Sequence, residues 1–158
     1  MMISQRWNNR RAFTFFELAL ALGLIAIVFV GIAPVISASV QERRLRAGIE
    51  EIAELARAAR SEALAGGSNQ TLFFEKGGIA RWNADSEEAE VVVAPPDDAA
   101  LKVRFPDEKW SVPDGQRWRF FPAGMVTPLS VRLEEGDGWI EADFDFLTGR
   151  IGEERFSF

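Results

Sequence analysis

The sequence predicts an α+β fold, a long N-terminal helix packed on a C-terminal, mainly antiparallel β-sheet domain, and three patterns predict it. An almost uncharged run lies near the amino end, residues at helical spacing come after it, and beyond Gly66-Gly67 the chain changes to short alternating runs separated by glycine-rich turns. A helix with one apolar stripe and a sheet with one apolar face bury each other, so this order reads as two packed layers. The 158 residues hold one modest folded domain beside the apolar run.

Composition narrows the function. Cysteine, histidine and tyrosine are all absent. Without cysteine there is no disulfide, thiolate metal site or cysteine nucleophile, and without imidazole most general-base mechanisms and transition-metal sites fall away. The chain is therefore not expected to be an enzyme, and no cofactor or metal is expected. The net charge of −6 divides into +3 over residues 1–12, from Arg6, Arg10 and Arg11, and −9 over the remainder. Basic residues ahead of an apolar run stay cytoplasmic and send the chain beyond that run across the membrane.

Residues 18–33 carry no charge, and with 13–16 before them and Val35, Ile36 and Ala38 after them the stretch reaches the ~20 residues that span a bilayer. A cleaved secretory signal is one rival, since Ser37-Ala38-Ser39 offers small residues ahead of Val40. An ordinary single-span anchor is another. Glu17 stands at the head of this run, where an ionisable group costs at least ~2.5 kcal/mol unless it pairs, caps or has a task. Thr14-Phe15-Phe16-Glu17 fits a capping box, in which hydroxyl and carboxylate satisfy amides at a helix start.

The whole pattern is a basic leader, a small residue, Phe13-Thr14, Glu17 four residues after the Phe, then the apolar run. It resembles the class III signal of type IV pilins and pseudopilins. The resemblance implies that a prepilin peptidase cuts between Ala12 and Phe13 and that the new amino terminus on Phe13 is methylated. It also implies that Glu17 meets the positive terminus of a neighbouring subunit's first residue during assembly. Two buried opposite charges together cost less than either alone. Family members usually carry Gly before the cut and Leu-Ile or Leu-Leu before the Glu, where this chain has Ala12 and Phe15-Phe16. Gly31 and Pro34 predict a kink, because proline lacks an amide and crowds the preceding turn. Pro34 equally serves as the end of the membrane helix, and the family has a proline at this spacing.

From Val40 the helical period returns, with Leu45, Ile49, Ile52, Leu55 or Ala56, Ala59 and Ala63 on one face. Glu42, Arg43, Arg44, Arg46, Glu50, Glu51, Glu54, Arg57, Arg60 and Glu62 read as a mixed-sign solvent face. Arg43, Arg44 and Arg46 can also be taken as contacts to anionic lipid, nucleic acid or other subunits. Gly66-Gly67 predicts the stop, so one helix is expected from about Thr14 to about Ala65.

Beyond it, alternation predicts six to eight strands, at 71–74, 79–82, 90–93, 101–105, 117–121, 129–133 and 139–146. Hairpin connections are expected at Glu75-Lys76-Gly77-Gly78, Pro113-Asp114-Gly115-Gln116 and Glu135-Gly136-Asp137-Gly138. Asp143 and Asp145 are expected on one strand face, with Asp137 and Glu141 near enough to imagine calcium against an ordinary polar face. Asp85, Glu87, Glu88, Glu90, Asp97 and Asp98 read as an acidic loop or edge that discourages strand-to-strand association. If the strands of Lys102 and Arg104 and of Arg117 and Arg119 pair, four cations share a face and nucleic acid becomes a conceivable ligand.

Residues 120–151 are similar to the closing segment of the GspH/FimT family of minor pseudopilins: an aromatic strand, a Pro-x-Gly loop, two strands and a Thr-Gly-Arg turn before a last short strand. Phe120, Pro122, Gly124, Thr148, Gly149 and Arg150 carry the match. The two resemblances imply a pilin-like fold: a leader at 1–12, a transmembrane assembly helix at 13–36, its amphipathic continuation at 37–66 and a periplasmic β domain at 67–158. They imply a minor pseudopilin of a type II secretion system, inner-membrane and single-pass, assembled into the periplasmic pseudopilus. The alternative is a FimT/FimU-like minor pilin of a type IV pilus or DNA-uptake system. Implied partners are major and minor pseudopilins, met through the N-terminal helix, with the prepilin peptidase, the inner-membrane secretion platform and the membrane itself; nucleic acid is not expected.

Overall fold

The computed structural model describes residues 14–83 and 88–158, apart from the side chains at 29–37, 83, 88 and 89. Ala12, Phe13, Asp85 and Glu87 lie outside the described residues. The fold is α+β, with one helix among these residues, α1 (Phe15–Gly66), and eight strands after it. By its internal contacts the chain divides into two units, Met1–Ser37 and Ala38–Phe158.

In the first unit α1 begins where the capping box predicts. The side chains described from Thr14 to Val28 are all exposed, and the helix runs on through Gly31 and Pro34. Pro34 therefore does not end it. Among the described residues no helix is long and apolar enough to cross a membrane; the apolar run continues into 29–37, whose side chains are not among them.

In the second unit the rest of α1 buries Leu45, Ile49, Ile52, Ala53, Ala56, Ala59 and Ala63. Ala56, not Leu55, takes the central position, and Leu55 packs at the margin of the core. Small side chains there let the helix axis approach the sheets. Gly48 makes the same point, since a Cβ on it would sit 2.8 Å from Leu133 Cδ1 and 3.0 Å from Pro96 Cδ. The helix ends at Gly66, and Gly67 adopts φ +62°, the left-handed conformation in which a residue after a helix closes its last turn.

The strands form two antiparallel four-stranded sheets, in the orders β3-β2-β1-β5 and β4-β6-β7-β8. The first contains β1 (Gln70–Glu75), β2 (Gly78–Asn83), β3 (Glu88–Val93) and β5 (Gln116–Phe120). The second contains β4 (Ala100–Arg104), β6 (Leu129–Glu135), β7 (Gly138–Phe144) and β8 (Ile151–Ser157). Lys76-Gly77 and Gly136-Asp137 make the β1–β2 and β6–β7 turns as the sequence predicts. The Pro113 to Gln116 segment is not a hairpin, because β4 and β5 belong to different sheets; it leads the chain from one sheet into the other. The acidic β3 lies at an edge, where charge discourages further pairing.

Alternation places Leu101, Val103, Leu129, Val131, Leu133, Ile140, Ala142 and Phe144 of the second sheet inward with Leu72, Phe74, Trp118 and Phe120 of the first. Trp118 joins the two sets: its ring lies 4.9 Å from those of Phe120 and Phe144 and 6.0 Å from that of Phe74. Its indole N–H donates to the Thr127 carbonyl at 2.9 Å, so the buried polar end is satisfied.

Candidate functional site

The head of α1 holds the described part of the predicted processing and assembly motif. The Thr14 amide and hydroxyl donate to Glu17 Oε2 at 2.9 and 3.0 Å, and the Glu17 amide donates to Thr14 Oγ1 at 3.2 Å. This is the reciprocal capping box, complete and solvent-exposed. Glu17 is thereby held in a fixed orientation one helical turn from the end of the chain segment it caps.

The positions of the closing segment come together around the other end of the helix. The loop through Pro122 folds back, with the Gly124 amide donating to the Phe121 carbonyl at 2.9 Å and the Phe121 amide to the Met125 carbonyl at 2.9 Å. Phe120, on β5, is buried in the core beneath it. The second turn is built by Asp145, whose Oδ1 accepts from the Thr148 hydroxyl and amide, both at 2.8 Å, and from the Leu147 amide at 3.1 Å. Those bonds, the Thr148 hydroxyl first, hold the Asp145 carboxyl below the usual range. Gly149, at φ +65°, turns the chain so that its amide reaches the Asp145 carbonyl at 2.8 Å.

Arg60 ties both turns to α1. Its Nε donates to the Gly124 carbonyl at 2.8 Å and its Nη2 to the Leu147 carbonyl at 3.2 Å. Helical periodicity puts Arg60 on the solvent face; the structure turns it inward. Beside it a cleft of about 230 Å³ is lined by Arg57, Arg60, Ser61, Leu64, Thr148 and Arg150. Arg57 and Arg150 are exposed, and Arg150 makes no ion pair among the described residues. Exposed guanidinium groups beside a hydroxyl suit the carboxylates and carbonyls of another polypeptide.

Three of the four acids offered for calcium are otherwise engaged, and the fourth, Asp137, is exposed in the β6–β7 turn. Glu141, buried on β7, receives Arg132 Nη2 at 2.7 Å and also the guanidinium of Arg155, and Arg104 Nη2 stands 3.4 Å away. Burial alone would raise its carboxyl, but the bonds and charges of Arg132 and Arg155 outweigh that and hold it below the usual range. Asp143 accepts from Ser130 Oγ at 2.5 Å and from Arg155 Nη2 at 2.7 Å. Asp145 is not on the strand with Asp143, because β7 ends at Phe144 and Asp145 opens the turn. Among the described residues no three His, Cys, Asp or Glu side chains are grouped to hold a metal.

The four-cation stripe does not form either. Lys102 and Arg104 lie on β4 and Arg117 and Arg119 on β5, in separate sheets. Lys102 pairs with Glu134 at 2.5 Å, and Arg117 lies 5.7 Å from the Phe73 ring centroid. Of the three helix arginines, Arg44 pairs with Glu135 and Arg46 with both Glu42 and Glu154, which leaves Arg43 exposed without an ion pair among the described residues. Comparisons of the chain with protein-family models, with curated proteins and with solved structures give no match. What the fold defines is an α+β protein whose long helix enters a two-sheet domain.

Proposed function

We propose that this chain is a minor pseudopilin of the GspH type, made as an inner-membrane precursor and built into the periplasmic pseudopilus of a type II secretion system. The observation that carries the proposal is the capping pair Thr14 and Glu17 at the head of an apolar run, on a helix that continues without a break into the core of an α+β domain. In this reading residues 1–12 are a cytoplasmic leader, 13–36 the membrane and assembly segment, and 67–158 the periplasmic domain. The role is assembly and not catalysis. Cleavage before Phe13 creates an ammonium beside the capped end of the helix, and Glu17 of one subunit meets that group on the next. The guanidinium groups and turns at Arg57, Thr148 and Arg150 offer a surface to a neighbouring subunit.

Co-expression with a prepilin peptidase tests the proposal. The mature protein is expected to begin at Phe13 with a methylated amine, read by mass spectrometry of the amino terminus. A product that begins at Val40 would instead identify a secretory signal, and an intact Met1 would remove the assembly role.

A further inference from the structure

Phe156 and Phe158 are exposed at 55% and 41%, and they lie near Arg46 and Gln41 in the first helical turns of the Ala38–Phe158 unit. Phe158 Cδ1 and the Gln41 amide nitrogen both stand 2.8 Å from where a Cβ on Gly138 would lie, so the ring covers that glycine beside the helix. The Phe156 ring has the Arg46 guanidinium carbon 5.5 Å from its centroid, and the two phenyl rings are 6.1 Å apart. Val40, just before these turns, is exposed at 51%.

The charges nearby do not make this a basic patch. Arg44 is engaged by Glu135, and Arg46 by Glu42 and Glu154. Arg43 is the exposed arginine of these turns without an ion pair among the described residues, and the two phenyl rings and Val40 are the apolar groups open to solvent beside it. Covalent reach limits where it can go: Val40 is four residues beyond Ile36, at most ~14 Å even for a fully extended chain. If 13–36 lies in a bilayer, Val40 stays close to its surface whatever the setting of the two units.

We infer that Phe156 and Phe158, with Val40, seat the domain in the headgroup layer of the bilayer that holds the apolar run, by apolar contact and not by attraction to anionic lipid. The inference rests on the membrane reading proposed above. Phenylalanine on an exposed surface enters the boundary between headgroups and acyl chains, and of the three arginines nearby Arg44 and Arg46 are already paired, which leaves Arg43 as the one that would add lipid-charge dependence. Before assembly the contact would hold the domain against the membrane, and extraction of the subunit would have to break it.

The chain has no cysteine, so one introduced thiol takes a nitroxide label without competition. Full-length chain carrying Phe158→Cys, whose apolar label replaces the ring beside Phe156, is reconstituted in phosphatidylcholine vesicles and floated, with Asp114→Cys as the control in a turn that leads into β5. The label at 158 is expected to be open to oxygen and shielded from a water-soluble nickel chelate, while that at 114 is open to the chelate. Adding F156S, at an exposed position, lowers the seated fraction about tenfold or more. A floating chain whose label at 158 is as open to nickel as that at 114 overturns this inference alone. A chain that does not float overturns the membrane reading and this inference with it. Depth that is equal with and without phosphatidylglycerol supports the aromatic seat; depth that requires phosphatidylglycerol moves the contact to Arg43 and overturns it.

Discussion

Replacing Arg60 by methionine removes the group that ties α1 to both closing turns and keeps the aliphatic stem, whose Cδ lies 3.4 Å from where a Cβ on Gly149 would sit. Two hydrogen bonds are lost, to the carbonyls of Gly124 and Leu147. They are not equal. Leu147 is exposed and its carbonyl returns to water, whereas Gly124 is buried and its orphaned carbonyl costs ~1–3 kcal/mol. In a domain of this size each kcal/mol moves the melting temperature by about 4 °C, so R60M is expected to melt ~4–12 °C lower. The control is R57M: Arg57 is half-exposed and pairs with Glu54 at 3.7 Å, a contact worth about 0.3–0.5 kcal/mol on a helix surface. Thermal unfolding of the Ala38–Phe158 unit, monitored by tryptophan fluorescence, separates the two. If R60M melts with R57M, Arg60 is a surface residue and the account of the closing turns is wrong.

Four further outcomes are expected. Gly48→Ala gains about 1 kcal/mol of helix propensity but pushes a methyl onto Leu133 and the Pro96 ring; overpacking of ~1–3 kcal/mol wins because the ring has no rotamer to escape into, and a raised melting temperature would refute it. Trp118→Ala removes the ring that joins the two sheets and is expected to cost ~3–5 kcal/mol, against about half that for W118F, in urea unfolding. The folded Glu141 carboxyl is held below its ordinary value of 4.5, so its contribution is complete above that value and is lost as pH falls through the folded one. E141Q is therefore less stable at pH 7, and the gap in urea midpoint closes below about pH 4.5; a gap constant from pH 7 to 3 contradicts the pairing. Finally, Glu17→Gln keeps the capping box, since glutamine also caps at that position, but removes the charge. E17Q and E17A should both be cut before Phe13 and both fail to enter filaments, and normal entry of E17Q would reduce Glu17 to a cap.

The parts of the fold that local rules decide were legible in the residues. The Thr14 cap, the Gly66-Gly67 stop and the apolar stripe predict α1 to within one residue of its observed ends. The glycine turns predict the β1–β2 and β6–β7 hairpins. Pairing between distant strands is a different matter. β5 joins β1 and β4 joins β6, which depends on how both sheets pack around Trp118 and not on any turn. β8 was implied by the resemblance but not by its own sequence, because Gly152, Glu153, Glu154 and Arg155 of an edge strand need no apolar alternation. Ala56 rather than Leu55 faces the core because the helix comes close, a fact set by Gly48 and Pro96 on opposite elements. Arg60 and Glu141 read as surface charges for the same reason: their partners are carbonyls and guanidinium groups contributed by other turns and strands.

The buried stripe of α1 extends from Leu45 to Ala63, about 27 Å at the helical rise. A tensile load that enters through the helix therefore acts on the domain in shear, with the whole stripe and the Arg44, Arg46 and Arg60 links resisting together. Peeling, in which contacts yield one after another, is the weaker geometry and is not the one offered. The helix is thus a tow bar: hauled along its axis, it moves the sheets as cargo without unravelling them.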